Sequence, residues 1–95
     1  MTKVLPSASD LLVPIIKVLK ELGGVADVKA IEKGVISMLN LDSDLTSQVR
    51  IGKRTELGYR LSWARTRGKN LGYLEKQGNG KWALTKEALS SSHFS

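Results

Sequence analysis

Positively charged side chains are concentrated in one stretch of this sequence. Between Arg50 and Leu84, nine Lys or Arg residues accompany only two acids, Glu56 and Glu75. This stretch of 35 residues therefore carries a charge of +7, while residues 1–49 sum to −1. Cations held against a row of phosphates release condensed counterions, so charge confined in this way is typical of proteins that bind polyanions. The stretch predicts a polyanion-binding surface.

Length and composition restrict the class of protein. A chain of 95 residues is expected to form one domain, with an ordered core over about residues 8–89 and a flexible tail at residues 90–95. The sequence has no cysteine, which excludes a disulfide framework, a thiolate metal site and a cysteine nucleophile. No apolar run approaches the ~18 residues of a membrane span, and the N-terminus lacks a signal-peptide pattern. We therefore expect a cytoplasmic protein, associated with the nucleoid if the polyanion is DNA.

The first element expected to position the basic stretch is a helix over residues 11–22, where apolar side chains recur at helical spacing. Residues 7–10 supply candidates for its N-cap. Gly23 is suited to end the helix, because glycine readily adopts the left-handed conformation of a C′ residue. Pro14 lies inside this pattern, and we expect it to fall close enough to the start for the first turn to absorb most of its cost.

A second amphipathic helix is predicted over residues 28–39, with Asp27 as its N-cap and residues 25–26 as a short preceding strand. Gly34 inside this helix costs about 1 kcal/mol relative to alanine, which often indicates that another helix passes close by. The pattern then weakens over residues 40–54, where we expect a loop with one short helical turn at most.

The third predicted helix lies within the basic stretch and runs from Glu56 to Leu71, with Thr55 as its N-cap. On a helical wheel, apolar side chains lie on one side and polar side chains on the other. The apolar side contains Leu57, Leu61, Ala64, Gly68 and Leu71, and the polar side contains Thr55, Tyr59, Ser62, Thr66, Lys69 and Asn70. Trp63 lies well off the centre of the apolar stripe. It either closes a wide buried face against the first or second helix or stays partly exposed, and we expect it to be partly buried.

A β-hairpin is predicted directly after this helix. Residues 73–77 form its first strand and residues 81–84 its return strand, joined by the turn Gly78-Asn79-Gly80. Thr85 is expected to cap a short last helix over residues 86–89. A basic helix followed by a tight hairpin is typical of a winged helix-turn-helix. The predicted fold class is therefore α+β, mainly α, with three main helices, a hairpin wing and a short C-terminal helix.

Four short patches, which occur in order, resemble the N-terminal domain of Mrr-type restriction endonucleases. They are Leu11-Leu12-Val13-Pro14-Ile15-Ile16, Gly24-Val25-Ala26-Asp27-Val28, Arg60-Leu61-Ser62-Trp63-Ala64, and the pair Gly72-Tyr73-Leu74 and Gly80-Lys81-Trp82-Ala83-Leu84-Thr85. The third patch is similar to the family's Arg-x-x-Trp-Ala signature, and the last pair is similar to its wing. The resemblance covers about residues 8–89 and implies a winged-helix module attached to a nuclease that acts on modified DNA.

The sequence departs from the family pattern at several points. Gly68 occupies a position where the family usually has a large apolar residue, and residues 41–54 match no family pattern. A nuclease centre of this type needs a carboxylate pair and a lysine around Mg²⁺. Residues 27–29 have a superficially suitable spacing, but they begin a helix and have no neighbouring strands to complete a site. We therefore predict a non-catalytic chain without a metal or other cofactor.

The resemblance implies that the third helix enters the major groove of double-stranded DNA, where exposed side chains meet base edges and flanking cations contact phosphates. The residues expected near the bases are Ser62, Thr66, Lys69 and Asn70, with Arg65 reaching from the edge of the helix. Tyr59 lies on the same outward face and is a further candidate for DNA contact, with no assigned role. The residues expected on the DNA backbone are Lys53, Arg54 and Thr55 at the helix N-terminus. Asn79 and Lys81 are expected to place the wing beside a phosphate or in the minor groove. The alternative is that all of these form the solvated face of a basic domain.

Three further residues in the basic stretch have structural interpretations. Arg60 lies beside the apolar stripe and is expected to stabilise the fold through an acid such as Glu56, four residues earlier. Trp63 and Trp82 could each stack on an extruded base. Both lie within apolar patterns, however, which favours packing in the core or the wing.

Three functional hypotheses follow. The first is that the chain is the DNA-targeting module of a restriction-type enzyme, working with a nuclease domain or subunit on modified or unmodified DNA. The second is a free-standing transcriptional regulator, which would form a homodimer to read a two-fold DNA site. The third is a winged helix that binds protein. The dependence of affinity on salt concentration distinguishes DNA binding from protein binding. If the chain neutralises about six phosphates, a plot of log affinity against log salt concentration has a slope near −5.

Overall fold

The computed structural model describes residues 5–47, 49–51 and 54–90, with side chains described for residues 5–47 and 55–90. In chain order its elements are α1 (Ala8–Glu21), β1 (Val25–Asp27), α2 (Val28–Leu39), α3 (Ser43–Thr46), β2 (Val49–Ile51), β3 (Arg54–Thr55), α4 (Glu56–Asn70), β4 (Leu74–Gln77), β5 (Lys81–Leu84) and α5 (Lys86–Ser90). The predicted third helix is therefore α4, and the predicted wing is the β4–β5 hairpin. This arrangement is an α+β, winged-helix-like fold, as the sequence predicts.

The helix α1 packs against both α2 and α4. Its apolar stripe is completely buried and includes Leu11, Ile15, Ile16 and Leu19. The same core contains Ile31 and Val35 from α2, and Leu57, Leu61 and Ala64 from α4. Full burial of one large aliphatic side chain contributes about 1.5–3 kcal/mol. This shared core therefore determines which side of α4 faces inward.

Side-chain caps begin α2 and α4 where the sequence predicts them. The Asp27 carboxylate accepts the backbone N–H of Ala30 at 2.8 Å, and the Thr55 hydroxyl accepts the backbone N–H of Gly58 at 3.0 Å. Ser7 caps α1 in the same way. Each cap satisfies an otherwise unpaired helix amide and contributes about 1 kcal/mol. The start of α4, and with it the register of its polar side, is therefore determined at Thr55.

The prediction that Pro14 lies close enough to the helix start for the first turn to absorb most of its cost is wrong. The helix α1 begins at Ala8, so Pro14 is its seventh residue and lies beyond the first turn. Its ring removes one backbone hydrogen bond, yet the helix continues to Glu21. Ile15 and Ile16, which follow the proline directly, have no exposed surface, and their burial offsets the lost bond.

The strands β1, β5 and β4 form a three-stranded antiparallel sheet in that order. The predicted strand before α2 is therefore confirmed, and it pairs with the outer side of the hairpin, Val25 opposite Ala83. The predicted turn is also confirmed. Its φ angles are positive at Asn79 (65°) and Gly80 (73°), two residue types that tolerate the left-handed conformation.

The segment between α2 and α4 contains more structure than expected. The helix α3 is the short helical turn anticipated there, anchored by the buried side chain of Leu45. The antiparallel pair β2–β3 was not predicted. These strands have three and two residues, which is too short for an alternating apolar pattern to be recognised.

Several element ends differ from their predictions, among them both ends of α1 and the end of β1. The strand β4 begins at Leu74, one residue later than expected. Leu71 is the C-cap of α4 and is 50% exposed, so it does not belong to the apolar stripe of that helix. Ser90 is the last residue of α5, although it was assigned to a flexible tail. The rest of that predicted tail lies outside the described residues.

Thr85 joins the hairpin to the end of α4. Its hydroxyl donates to the backbone carbonyl of Gly72 at 2.6 Å, and its backbone N–H donates to the carbonyl of Tyr73 at 3.1 Å. The same hydroxyl accepts the backbone N–H of Ala88 at 3.3 Å, which confirms Thr85 as the cap of α5. The hairpin is therefore held in its orientation relative to α4 at both ends of the hairpin, before β4 begins and after β5 ends.

Two glycines permit close approach between elements. A β-carbon at Gly34 would overlap the side chain of Val18 in α1, as the sequence predicts for a glycine inside a helix. A β-carbon at Gly68 would lie 2.7 Å from Leu74 Cδ1 and 2.8 Å from Leu12 Cδ1. Those two leucines occupy the space that a larger residue at position 68 would need, which explains the departure from the family pattern.

We expect the Gly68→Val substitution to destabilise the fold by about 1–3 kcal/mol, because overpacking forces neighbouring side chains out of their rotamers. In a domain of this size, each kcal/mol lowers the melting temperature by roughly 4–8 °C. Thermal unfolding followed by circular dichroism measures the effect. The matched control is Gly78→Ala in the hairpin turn, where a β-carbon meets nothing within 4 Å. Equal melting temperatures for the two variants would contradict this account of Gly68.

Candidate nucleic-acid interface

The polar side of α4 faces solvent. Thr66, Lys69 and Asn70 are exposed, and Tyr59 and Ser62 are half-buried. Four of them, Ser62, Thr66, Lys69 and Asn70, are the residues that the sequence predicts near DNA bases, and Tyr59 is the further candidate for DNA contact. Their shared orientation follows from the periodicity of the helix, because its opposite side is buried in the core described above.

A cleft separates this polar side from the β4–β5 hairpin, and we call it the helix–hairpin cleft. Five residues with predicted DNA contacts line it: Ser62, Arg65, Thr66, Lys69 and Asn70. The remaining lining residues are Val28, Lys76, Gly80 and Trp82. Of the described residues that line the cleft, three are cationic and none is acidic. Side chains from α4 and from the hairpin therefore line one positively charged cleft.

Lys76 was not among the predicted contacts, although the sequence contains a signal for it. Lys76 and Trp82 are directly opposite one another in the β4–β5 pair, and residues that pair in this way project from the same face of a sheet. The predicted strand boundaries already place these two residues together. Asn79 and Lys81 are exposed on the same hairpin, but neither lines the cleft.

Arg65 does not reach out from the edge of the helix as predicted. Its side chain is only 8% exposed, and its guanidinium carbon lies 5.6 Å from the centre of the Trp82 ring. A guanidinium stacked on an indole in this way contributes about 0.5–2 kcal/mol. Arg65 therefore connects α4 to β5 at the floor of the helix–hairpin cleft. Its charge adds to the positive charge of the cleft, but its side chain does not extend out of the cleft.

The two tryptophans have different environments. Trp82 is 8% exposed and belongs to the core, which confirms the predicted packing. Trp63 is 55% exposed, so the prediction that it packs in the core or the wing is wrong. Its ring contacts Tyr59 edge-on, with 6.3 Å between the ring centroids. Trp63 borders a second cleft along α4, which also involves Thr66, Arg67, Asn70 and Leu71.

Arg60 has the structural role that the sequence predicts. Its Nη2 atom lies 3.7 Å from the Glu56 carboxylate. Its Nη1 atom also donates to the backbone carbonyls of Leu5 and Pro6, at 2.9 and 3.2 Å. The side chain thus ties the first turn of α4 to the residues that precede α1. Because Arg60 is engaged on this side, it is not available to the polar face.

The remaining predicted contacts lie at the N-terminus of α4. Lys53 and the side chain of Arg54 lie outside the described residues, so they stay sequence predictions. Thr55 is half-buried, and its hydroxyl caps α4 by accepting the Gly58 amide. Within the described part of the chain, no group of three His, Cys, Asp or Glu side chains could hold a metal ion. None of the described helices combines the length and the hydrophobicity that a membrane span requires.

The fold and this surface define a small winged-helix-like domain with one cationic side. The chain belongs to the Mrr N-terminal domain family, which matches residues 9–91. The resemblance read from the four patches is thereby confirmed. Family membership places the chain among the N-terminal domains of Mrr-type restriction systems and not among their catalytic nuclease domains. Comparisons with curated proteins and with solved structures give no significant match.

We expect Arg65→Ala to lower the free energy of unfolding by about 1–2 kcal/mol, because it removes the contact with Trp82 and the packing of the buried arginine stem. Lys69→Ala, one turn later on the same helix, should change stability by less than about 0.5 kcal/mol, since Lys69 is exposed. Urea denaturation of both variants measures the difference. If the two variants were equally stable, Arg65 would not be the connection between α4 and β5 described here.

Proposed function

We propose that this chain is a double-stranded DNA-binding module, the target-recognition domain of an Mrr-like restriction endonuclease. In the complex, α4 lies in the major groove and the β4–β5 hairpin contacts the backbone or the minor groove. The observation that carries the proposal is the helix–hairpin cleft, whose described lining is cationic and lacks acids. The major groove is about 12 Å wide and accepts one α-helix, so the exposed side of α4 is the part that enters it.

The exposed side chains divide into two roles. Ser62, Thr66, Lys69 and Asn70 project from the middle and end of α4, where they meet base edges. Hydroxyl, ammonium and carboxamide groups are suited to these edges, which present donors and acceptors in a pattern specific to each base pair. Tyr59 borders the same face.

Phosphates are contacted by the hairpin. Lys76 faces the helix–hairpin cleft, while Asn79 and Lys81 are exposed at the tip and the start of the return strand. These contacts set the register of the domain on the duplex but do not read sequence. Arg65 acts indirectly, since its contact with Trp82 holds the hairpin against α4. Lys53 and Arg54 add backbone contacts at the start of α4.

The module has no cleavage activity of its own in this proposal. Cutting belongs to a nuclease domain or subunit that the module brings to its target, which includes modified DNA by analogy with the family. The support for this step is family membership. The charge of the cleft also favours DNA over an ordinary protein surface, because Arg65, Lys69 and Lys76 line the same opening.

We expect the double variant Lys69→Ala/Lys81→Ala to bind a short DNA duplex roughly tenfold more weakly than the wild type. The slope of log affinity against log salt should fall by about two units, from about −5 to about −3, because each lysine neutralises about one phosphate. Fluorescence anisotropy with a labelled duplex at several salt concentrations measures both quantities.

The matched control is Lys17→Ala/Lys33→Ala, which removes two exposed lysines from α1 and α2. Both double variants lower the net charge from +6 to +4, so a difference between them reports position and not total charge. Equal losses in the two variants would show non-specific attraction to a basic protein. Absence of DNA binding by the wild type at low salt would contradict the proposal and favour a protein partner.

A further inference from the structure

Trp63 is the largest exposed side chain on α4. More than half of its surface is open to solvent, and the ring contact that the structure shows for it is the edge-on contact with Tyr59. Single exposed apolar residues are ordinary, whereas neighbouring ones that border a cleft mark a binding surface. Leu71, itself 50% exposed, borders the same cleft as Trp63.

The cleft beside Trp63, which we call the tryptophan cleft, adjoins the helix–hairpin cleft. Thr66 and Asn70 line both of them. Because residues four apart project from the same side of a helix, these two form a ridge along the centre of the exposed face of α4. The hairpin lies on one side of this ridge and Trp63 lies on the other. If α4 enters a DNA groove, the indole enters with it.

The chemistry of the tryptophan cleft is specific. It combines an apolar ring with the carboxamide of Asn70, and Arg67 adds one exposed cation at the border. In the major groove, thymine presents its C5 methyl group, which is recognised by apolar contact. Adenine presents an acceptor at N7 beside a donor at N6, a pair that a carboxamide matches with two hydrogen bonds. Both features belong to A·T pairs.

We propose that Trp63 and Asn70 are specificity-determining residues for an A·T-containing DNA site. Trp63 packs against a thymine C5 methyl, and Asn70 forms hydrogen bonds with an adenine. The two residues are separated by roughly 10 Å along the helix axis, a distance that spans at most about three base-pair steps. The adenine and the thymine therefore lie within one short A·T-containing segment. This inference rests on the proposed DNA binding and adds to it which bases are read.

The test compares matched duplexes at one salt concentration, each with the same flanks. The first has an alternating adenine–thymine centre, and the second replaces its thymines with uracil, which removes only the C5 methyl. The wild type should bind the uracil duplex about fourfold more weakly for each methyl that is contacted, the effect of exposing one buried methyl group. Trp63→Ala should bind the two duplexes equally, while Trp63→Phe should restore part of the difference. Circular dichroism confirms that each variant is folded.

A third duplex carries 7-deazaadenine in place of adenine and so lacks the N7 acceptor. The wild type should lose affinity for it, and Asn70→Ala should not distinguish it from the adenine duplex. A fourth duplex, with 5-methylcytosine–guanine pairs at the centre, retains the pyrimidine methyl but removes adenine. The proposal requires this duplex to bind more weakly than the adenine–thymine duplex. Equal binding would show that 5-methylcytosine supplies the methyl contact as well as thymine does. It would therefore overturn the assignment of the site to A·T pairs.

The outcomes separate this inference from the function on which it rests. If no duplex binds at low salt, DNA binding itself fails. If all duplexes bind the wild type equally, DNA binding stands and base reading by Trp63 and Asn70 is overturned. A Trp63→Ala variant that keeps the full preference for thymine over uracil would also overturn it, and would leave the tryptophan cleft to a protein partner.

Discussion

The close packing of α4 against α1 and the hairpin is the constraint on which the rest of the structure depends. Gly68 permits it, because Leu12 and Leu74 occupy the space beside its α-carbon. Once one side of α4 is enclosed in this way, the side chains on the opposite side must face solvent. The position of the hairpin follows from the same packing, since Thr85 and the contact between Arg65 and Trp82 hold it beside the helix. The exposed face of α4 and the cationic hairpin therefore border one surface.

The basic residues of this region do not act alike. Arg60 and Arg65 hold parts of the fold together, one through backbone carbonyls and the other through an indole ring. Lys69, Lys76 and Lys81 remain exposed. A guanidinium is planar and weakly hydrated, so it can pack in partly buried positions, whereas the compact ammonium of lysine retains its water. The charge of the basic stretch is therefore larger than the charge that its surface presents to a polyanion.

Much of the fold could be predicted because its signals are local. The cap at Thr55, the turn at Asn79 and the apolar stripe of α1 each depend on residues within a few positions of one another. The pair β2–β3 lacks such a signal because its strands are too short for a pattern. The position of Pro14 within its helix was predicted wrongly for a related reason. Where a helix begins depends on which candidate cap is used, and residues 7–10 offer several.

The sequence by itself determined the segregation of charge and the order of the three main helices and the hairpin, because these depend on composition and short-range spacing. The family followed from the resemblance of the four patches. The sequence could not determine how far a given side chain is buried. Trp63 and Trp82 lie in similar apolar contexts along the chain, yet Trp63 is open to solvent and Trp82 is enclosed under Arg65. A helical wheel gives the angle of a residue relative to its own stripe, but it does not show where the neighbouring elements end. Only the tertiary structure decided which aromatic ring and which cations remain available for binding, because burial is set by contacts between distant parts of the chain.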